Sequence, residues 1–152
     1  MAGELVLVDS NVLIRWLQPR DPAFPAIEAS ITQFARSGAV LCYTSQNLGE
    51  FWNVLTRPAD RNGYGLTPEE ADRQARQVEA RFRLLPDSLA VHEEWRKLLA
   101  AVGVSGVQVH DARLVAAMRV HGVRRVLTLN KSDFARFDGI EAVHPDDVLR
   151  AS

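Results

Sequence analysis

The chain carries 19 acidic residues, and four of them stand where a merely solvated carboxylate is not expected. Asp9 closes the apolar run Glu-Leu-Val-Leu-Val over 4–8. Ligands of parallel α/β folds sit beyond the carboxyl ends of strands, so Asp9 either borders such a crevice or caps a helix that starts near Asn11. Asp111 shares a helical stripe with Leu114, Val115 and Met118. On that core-facing stripe a carboxylate is costly unless paired, hydrogen-bonded or bound to metal, although the helix dipole also favours an acid in a first turn. Glu50 has Asn47 and Asn53 three residues to either side and Val54 four residues on. This polar patch beside an apolar stripe reads as one wall of a wet cleft or as a solvated glutamate. Asp133 lies in Thr-Leu-Asn-Lys-Ser-Asp-Phe (128–134), just past a strand end, with the amide Asn130 at the same sheet edge. Glu69, Glu70, Asp72 and Glu79, by contrast, sit on a polar helix face.

The chemistry lies in the set. Acids from three or four separate segments gathered at one end of a sheet repel each other, and protonation or a cation must relieve that repulsion. Oxygen donors without a Cys or His cluster select Mg²⁺, or Mn²⁺, over Zn²⁺. A hydrated Mg²⁺ can supply a nucleophile and clamp a phosphodiester, so the set points to metal-dependent phosphodiester hydrolysis.

The elements that must position these acids follow from the pattern. Strands are expected at 4–8, 39–43, 125–129 and 140–143, with a brief one at Leu84-Leu85. Helices are expected from Ser10 or Asn11 to Pro19, over 21–37, and from Thr44 or Ser45 to Arg57-Pro58. Residues 59–66 read as a loop. Thr67-Pro68-Glu69-Glu70 is a capping-box signature with Pro at the first helical position. Asp87 or Ser88 opens a helix ending at Gly103, and another runs from about Val109 to His121. Lys131 to Phe137 reads as a turn or short helix, and Pro145 to Leu149 as a terminal helical turn. Strands alternating with helices imply a mostly parallel sheet covered on both faces, a single domain over 1–152.

Composition narrows the alternatives. With 18 basic residues and a formal net charge of −1 at pH 7, wholesale electrostatic capture of nucleic acid is not supported, so a nucleic-acid reading needs a local site. Arg15, Arg57 and Lys131 are near the acids in sequence and could contact phosphates, though each also reads as a plain surface charge. One cysteine, Cys42, excludes an internal disulfide framework and a cysteine-rich zinc site and fits a cytoplasmic, reducing compartment. No apolar run approaches the roughly 18 residues a membrane span needs. Trp16, Trp52 and Trp95 fall on apolar stripes and are expected in the core or a dimer interface. His110 reads as a surface or supporting residue, and no phosphate-binding glycine motif is present.

Four segments together resemble the PIN-domain ribonucleases, and among them the VapC toxins of bacterial toxin–antitoxin pairs. They are VLVDSNVLI (6–14), TSQNLGEFWNVL (44–55), HDARLVAAM (110–118) and LTLNKSDF (127–134), in the family's order and spanning essentially the whole chain. The resemblance implies a three-layer α/β/α domain. It implies that Asp9, Glu50 and Asp111 hold metal, and that a fourth acid falls where Asn130 or Asp133 stands. Here the first position is an amide, so the charge is assigned to Asp133, with Asn11, Thr128 and Asn130 as polar supporters. It further implies RNA as substrate, products with a 5′-phosphate, a homodimer, and a small antitoxin that blocks the cleft. Two other readings stay open: a catalytically silent PIN-like module that binds RNA or protein, and a receiver-like phosphoacceptor domain. The second lacks the acid pair it needs after the first strand.

Overall fold

A computed structural model describes residues 3–151. Five strands form one sheet: β1 (Leu5–Val8), β2 (Val40–Thr44), β3 (Arg83–Leu85), β4 (Arg125–Leu127) and β5 (Glu141–Val143). Their order is β3-β2-β1-β4-β5 and every pair is parallel. The helices are α1 (Ser10–Trp16), α2 (Phe24–Arg36), α3 (Ser45–Thr56), α4 (Pro68–Arg81), α5 (Leu89–Val102), α6 (Gln108–Val120) and α7 (Pro145–Arg150).

Alternation along the strands decides which layer each residue joins. Val6 and Val8 of β1 face one core with Leu41 and Tyr43, against α1 to α4 and α7. Leu7 and Cys42 face the other, against α5 and α6 with Val126, Phe134 and Phe137. The sheet is thus buried on both sides, which is why its strands read as continuous apolar runs. The result is the expected three-layer α/β/α arrangement, with the sheet wholly rather than mostly parallel. The order also separates it from the receiver-like alternative, whose doubly wound sheet runs 2-1-3-4-5.

Local chemistry accounts for the boundaries. Thr44, not Ser45, caps α3, and with Asn47 it forms a full capping box: the Asn47 N–H donates to Thr44 Oγ1 (3.1 Å) and the Thr44 N–H to Asn47 Oδ1 (2.9 Å). The box expected at Thr67 is half made. Thr67 Oγ1 accepts from the Glu70 N–H, but the Glu70 carboxylate binds the Thr67 hydroxyl instead of its backbone. Ser88, not Asp87, caps α5. Helix α2 starts at Phe24 rather than 21, because Asp21 Oδ1 accepts from the Ala23 N–H (2.8 Å) and holds that stretch in a turn. The expected 59–66 loop contains a 3₁₀ turn at Ala59–Arg61, and Lys131–Phe134 forms another. Among the described residues no helix is long and apolar enough to cross a membrane.

Candidate active site

The sheet order reverses at β1, which pairs with β2 on one side and β4 on the other. Diverging connections leave a crevice beyond the carboxyl end of such a strand, and the residue there is Asp9. Its N–H donates to the Leu127 carbonyl (2.9 Å), extending the β1–β4 ladder one step past the strand. The residue is only 9% exposed. Oδ1 accepts from the Ser10 N–H (2.8 Å) and Oδ2 from Thr128 Oγ1 (2.8 Å). Asp9 is therefore both the cap of α1 and a wall of the crevice. The two readings of its sequence position are compatible.

The polar supporters join Asp9 to the chain after β4. Thr128, fully buried, accepts at Oγ1 from the Asn130 N–H (3.1 Å) while donating to Asp9. Asn11 Oδ1 accepts from the Leu129 N–H (3.4 Å). Asn130 takes part through its backbone, and its side chain is not among those lining the cleft. Glu50, on α3, accepts at Oε1 from Ser10 Oγ and from Gln46 Nε2, both at 3.3 Å. Gln46 Nε2 also donates to the His110 carbonyl (2.8 Å) and so links Glu50 to the residue before Asp111. Ser10 and Gln46 were not singled out from sequence. The signals were there: Ser10 follows the strand-terminal acid, and Gln46 is one helical turn before Glu50. Asn47 and Asn53 do not form the cleft wall expected of them. Asn47 is buried beneath it, donating from Nδ2 to Ser10 Oγ (3.1 Å), and Asn53 is exposed elsewhere.

Asp9, Glu50, Asp111 and Asp133 all line one cleft of about 640 Å³, together with Arg57 and Tyr64. Their electrostatics register the crowding. Burial pushes Asp9 up to about 6 against the opposing pull of its Thr128 and Ser10 hydrogen bonds, with Glu50 and Asp133 adding repulsion. Burial also pushes Asp111 up to about 7, reinforced by the charges of Asp133, Asp9 and Glu50 and partly offset by Arg136. Four mutually repelling oxygen donors suit a hard divalent cation. Among the described residues no three His, Cys, Asp or Glu side chains are arranged to hold a metal ion by themselves.

The cationic candidates separate. Arg15 lines the cleft but is tied to Asp21 (3.5 Å) and to the Asn11 carbonyl. Lys131 turns away and pairs with Asp147 (2.8 Å). Arg57 remains in the cleft. The His110 side chain borders a different groove, beside Trp95 and Arg113.

A PIN domain model matches residues 6–140. No curated protein sequence matches the chain. Among solved structures, the DNA-bound VapBC of Salmonella typhimurium superposes with a TM-score of 0.69 at 18% identity, over 93% of this chain and 98% of that one. VapBC2 of Rickettsia felis, bound to a promoter DNA fragment, gives 0.68 at 12% identity, over 92% and 98%. VapC20 of Mycobacterium tuberculosis, a toxin that cleaves the sarcin–ricin loop, gives 0.59 at 20% identity, over 80% and 86%. At these identities the superpositions establish a shared fold. The family model covers most of the sequence, and the chain belongs to the PIN domain family.

Proposed function

We propose that this chain is a Mg²⁺-dependent endoribonuclease, with Mn²⁺ able to substitute, and that it is the toxin of a VapBC-type toxin–antitoxin pair. The observation that carries this reading is the meeting of four carboxylates, from the end of β1, from α3, from α6 and from the turn after β4, in one cleft of a PIN-family chain. The toxin assignment draws support from structural neighbours that are toxins or toxin–antitoxin complexes. An antitoxin partner, a homodimeric state and a cytoplasmic location belong to the same proposal.

Asp9, Glu50, Asp111 and Asp133 would hold the ion. When bound, such an ion lowers the pKa of water and offsets charge developing on the phosphate. The chain's own residues prepare for this. Thr128 and the Ser10 N–H fix the Asp9 carboxylate, and Ser10 and Gln46 fix that of Glu50. Protons compete with the ion for Asp9 and Asp111 below about pH 6–7, so cleavage rises through that range.

Purified protein is expected to cut a generic RNA in Mg²⁺, to stop in EDTA, and to lose activity on Asp9→Asn with the fold retained. Cleavage by Asp9→Asn at the wild-type rate would remove Asp9 from the site. A silent binding module is the second reading, favoured because among the described residues no three acids already stand in ligand arrangement. RNA binding without any metal-dependent cleavage would select it.

A further inference from the structure

Beyond the acids, the cleft has lining that no part of the metal chemistry uses. It is built by the loop after α3, where Arg57, Asn62, Gly63 and Tyr64 line the same cavity as the four carboxylates. We infer that this loop is a nucleotide-binding subsite for single-stranded RNA, in which Arg57 takes a backbone phosphate and Tyr64 stacks on a base beside the scissile linkage.

The loop is built as a rigid shelf. Four of its backbone N–H groups fold back onto the end of α3 and the first loop residues. Tyr64 donates to the Val54 carbonyl (3.1 Å), Leu66 to Leu55 (2.9 Å), Gly65 to Arg57 (2.9 Å) and Gly63 to Pro58 (3.0 Å). Asn62 adopts the left-handed conformation at φ 62°, which turns its carbonyl to accept from Arg57 Nη2 (2.9 Å). Gly63 packs so tightly that a Cβ there would sit 1.9 Å from the Arg57 carbonyl oxygen.

On that shelf Arg57 has unused capacity. Among the described residues it makes no ion pair, and its buried Nε has no hydrogen-bond partner. A phosphate drawn to the guanidinium in the cleft gives that charge the anionic partner it lacks in the fold. Arg15, the other arginine of the cleft, is already committed to Asp21. Tyr64 is one of the few large apolar side chains left open, at 37% exposure. An aromatic ring and an arginine lining the same cleft as four carboxylates form the combination that single-stranded RNA uses: stacking for the base, a cation for the backbone. The polarity also orders the substrate. With one phosphate taken by Arg57, the neighbouring linkage is the one left for the carboxylates of the same cleft.

The choice of RNA as occupant rests on the nuclease reading above, and two readouts separate the failures. The first is turnover of a fluorescein-labelled single-stranded oligoribonucleotide of mixed sequence in Mg²⁺. The second is fluorescence anisotropy of the same RNA in EDTA, which reads the subsite without turnover. Tyr64→Leu is expected to raise KM and Kd on the order of tenfold, and Tyr64→Phe to restore them. Arg57→Gln is expected to weaken binding and to lower the slope of log K against log salt by about 0.7, the loss of one single-strand phosphate contact. A residue that merely braced the loop would leave that slope unchanged. RNA bound with the variants' effects intact but never cut sinks the nuclease reading and leaves the subsite standing. Wild-type cleavage with KM, Kd and salt slope all unmoved by Arg57→Gln and Tyr64→Leu overturns the subsite alone. Neither binding nor cleavage by the wild type overturns both.

Discussion

Asp9→Asn separates what the buried acid costs the fold from what it does for chemistry. In the folded chain the Asp9 carboxyl is raised from 3.8 to about 6, chiefly by burial. A native pKa above the unfolded one means the folded state holds the proton more tightly. Its stabilising contribution is complete below about pH 4 and is lost as pH rises through about 6. At about pH 8 that difference is worth about 3 kcal/mol against the fold. Asparagine removes the charge and keeps the shape, but one of the two oxygens that now accept from Ser10 and Thr128 becomes a donor, which returns about 1 kcal/mol of the gain. The net gain of about 2 kcal/mol corresponds to a melting temperature about 4–8 °C above wild type for a chain of this size. The assay is differential scanning fluorimetry in EDTA across a pH series, with RNA cleavage measured in parallel. The variant is expected to be more stable at about pH 8, about 1 kcal/mol less stable than wild type near pH 4, and inactive. A melting temperature equal to or below wild type at the alkaline end would show that Asp9 is not strained by burial, and the electrostatic case for a cation in the cleft would fail with it.

Metal is expected to reverse the same pH trend: Mg²⁺ or Mn²⁺ at about 100 times Kd adds about 2.7 kcal/mol of stability at alkaline pH and much less at acid pH, where protons occupy Asp9 and Asp111; equal stabilisation at both ends would argue against carboxylate ligation. Thr128→Val removes the hydroxyl that steadies Asp9, so it should cost about 1–2 kcal/mol and move the acid limb of the cleavage profile to higher pH; an unmoved limb would mean that hydrogen bond does not tune the carboxylate. Gly63→Ala drives a methyl into the Arg57 backbone and should cost about 1–3 kcal/mol in chemical denaturation, an effect absent if the loop can shift freely. Lys131→Gln breaks only a surface pair with Asp147, so RNA kcat/KM should stay within about twofold; a larger fall would place that lysine on the substrate path.

Much of the frame was written in local pattern. The apolar runs of β1 and β2, buried on both faces, and the Thr67-Pro68 start of α4 need only near neighbours, and they stand where periodicity puts them. The acids were legible as a set: Asp9 closed a strand and Asp111 lay on an apolar stripe, while Glu50 and Asp133, alone a solvated glutamate and a turn residue, gained meaning beside them. Harder to read were features decided by distant partners. Arg125 was expected to begin a strand reaching Leu129, but β4 ends at Leu127, and the chain then turns so that Thr128 meets Asp9 from 119 residues away. Nothing local says that Lys131 faces Asp147 while Arg57 faces the cleft. Asn47 shows the reverse error: a polar residue beside Glu50 looked like cleft lining, yet its amide is consumed by the Thr44 cap and by Ser10. The Arg57–Tyr64 shelf was invisible because its folding back rests on backbone N–H groups, which every sequence has.

The central place of β1 has a consequence for how the protein comes into being. Strand β1 pairs on one side with β4, which stands far along the chain, with Arg125 opposite Val6. Until Arg125–Leu127 emerge, one flank of β1 has no neighbour, and the hydroxyl and charge that Thr128 and Asp133 bring to Asp9 do not yet exist. A polypeptide of this design cannot complete its acidic pocket while still being translated through its middle. Completion of the pocket is thereby tied to closure of the sheet around β1, a contact between segments far apart in sequence.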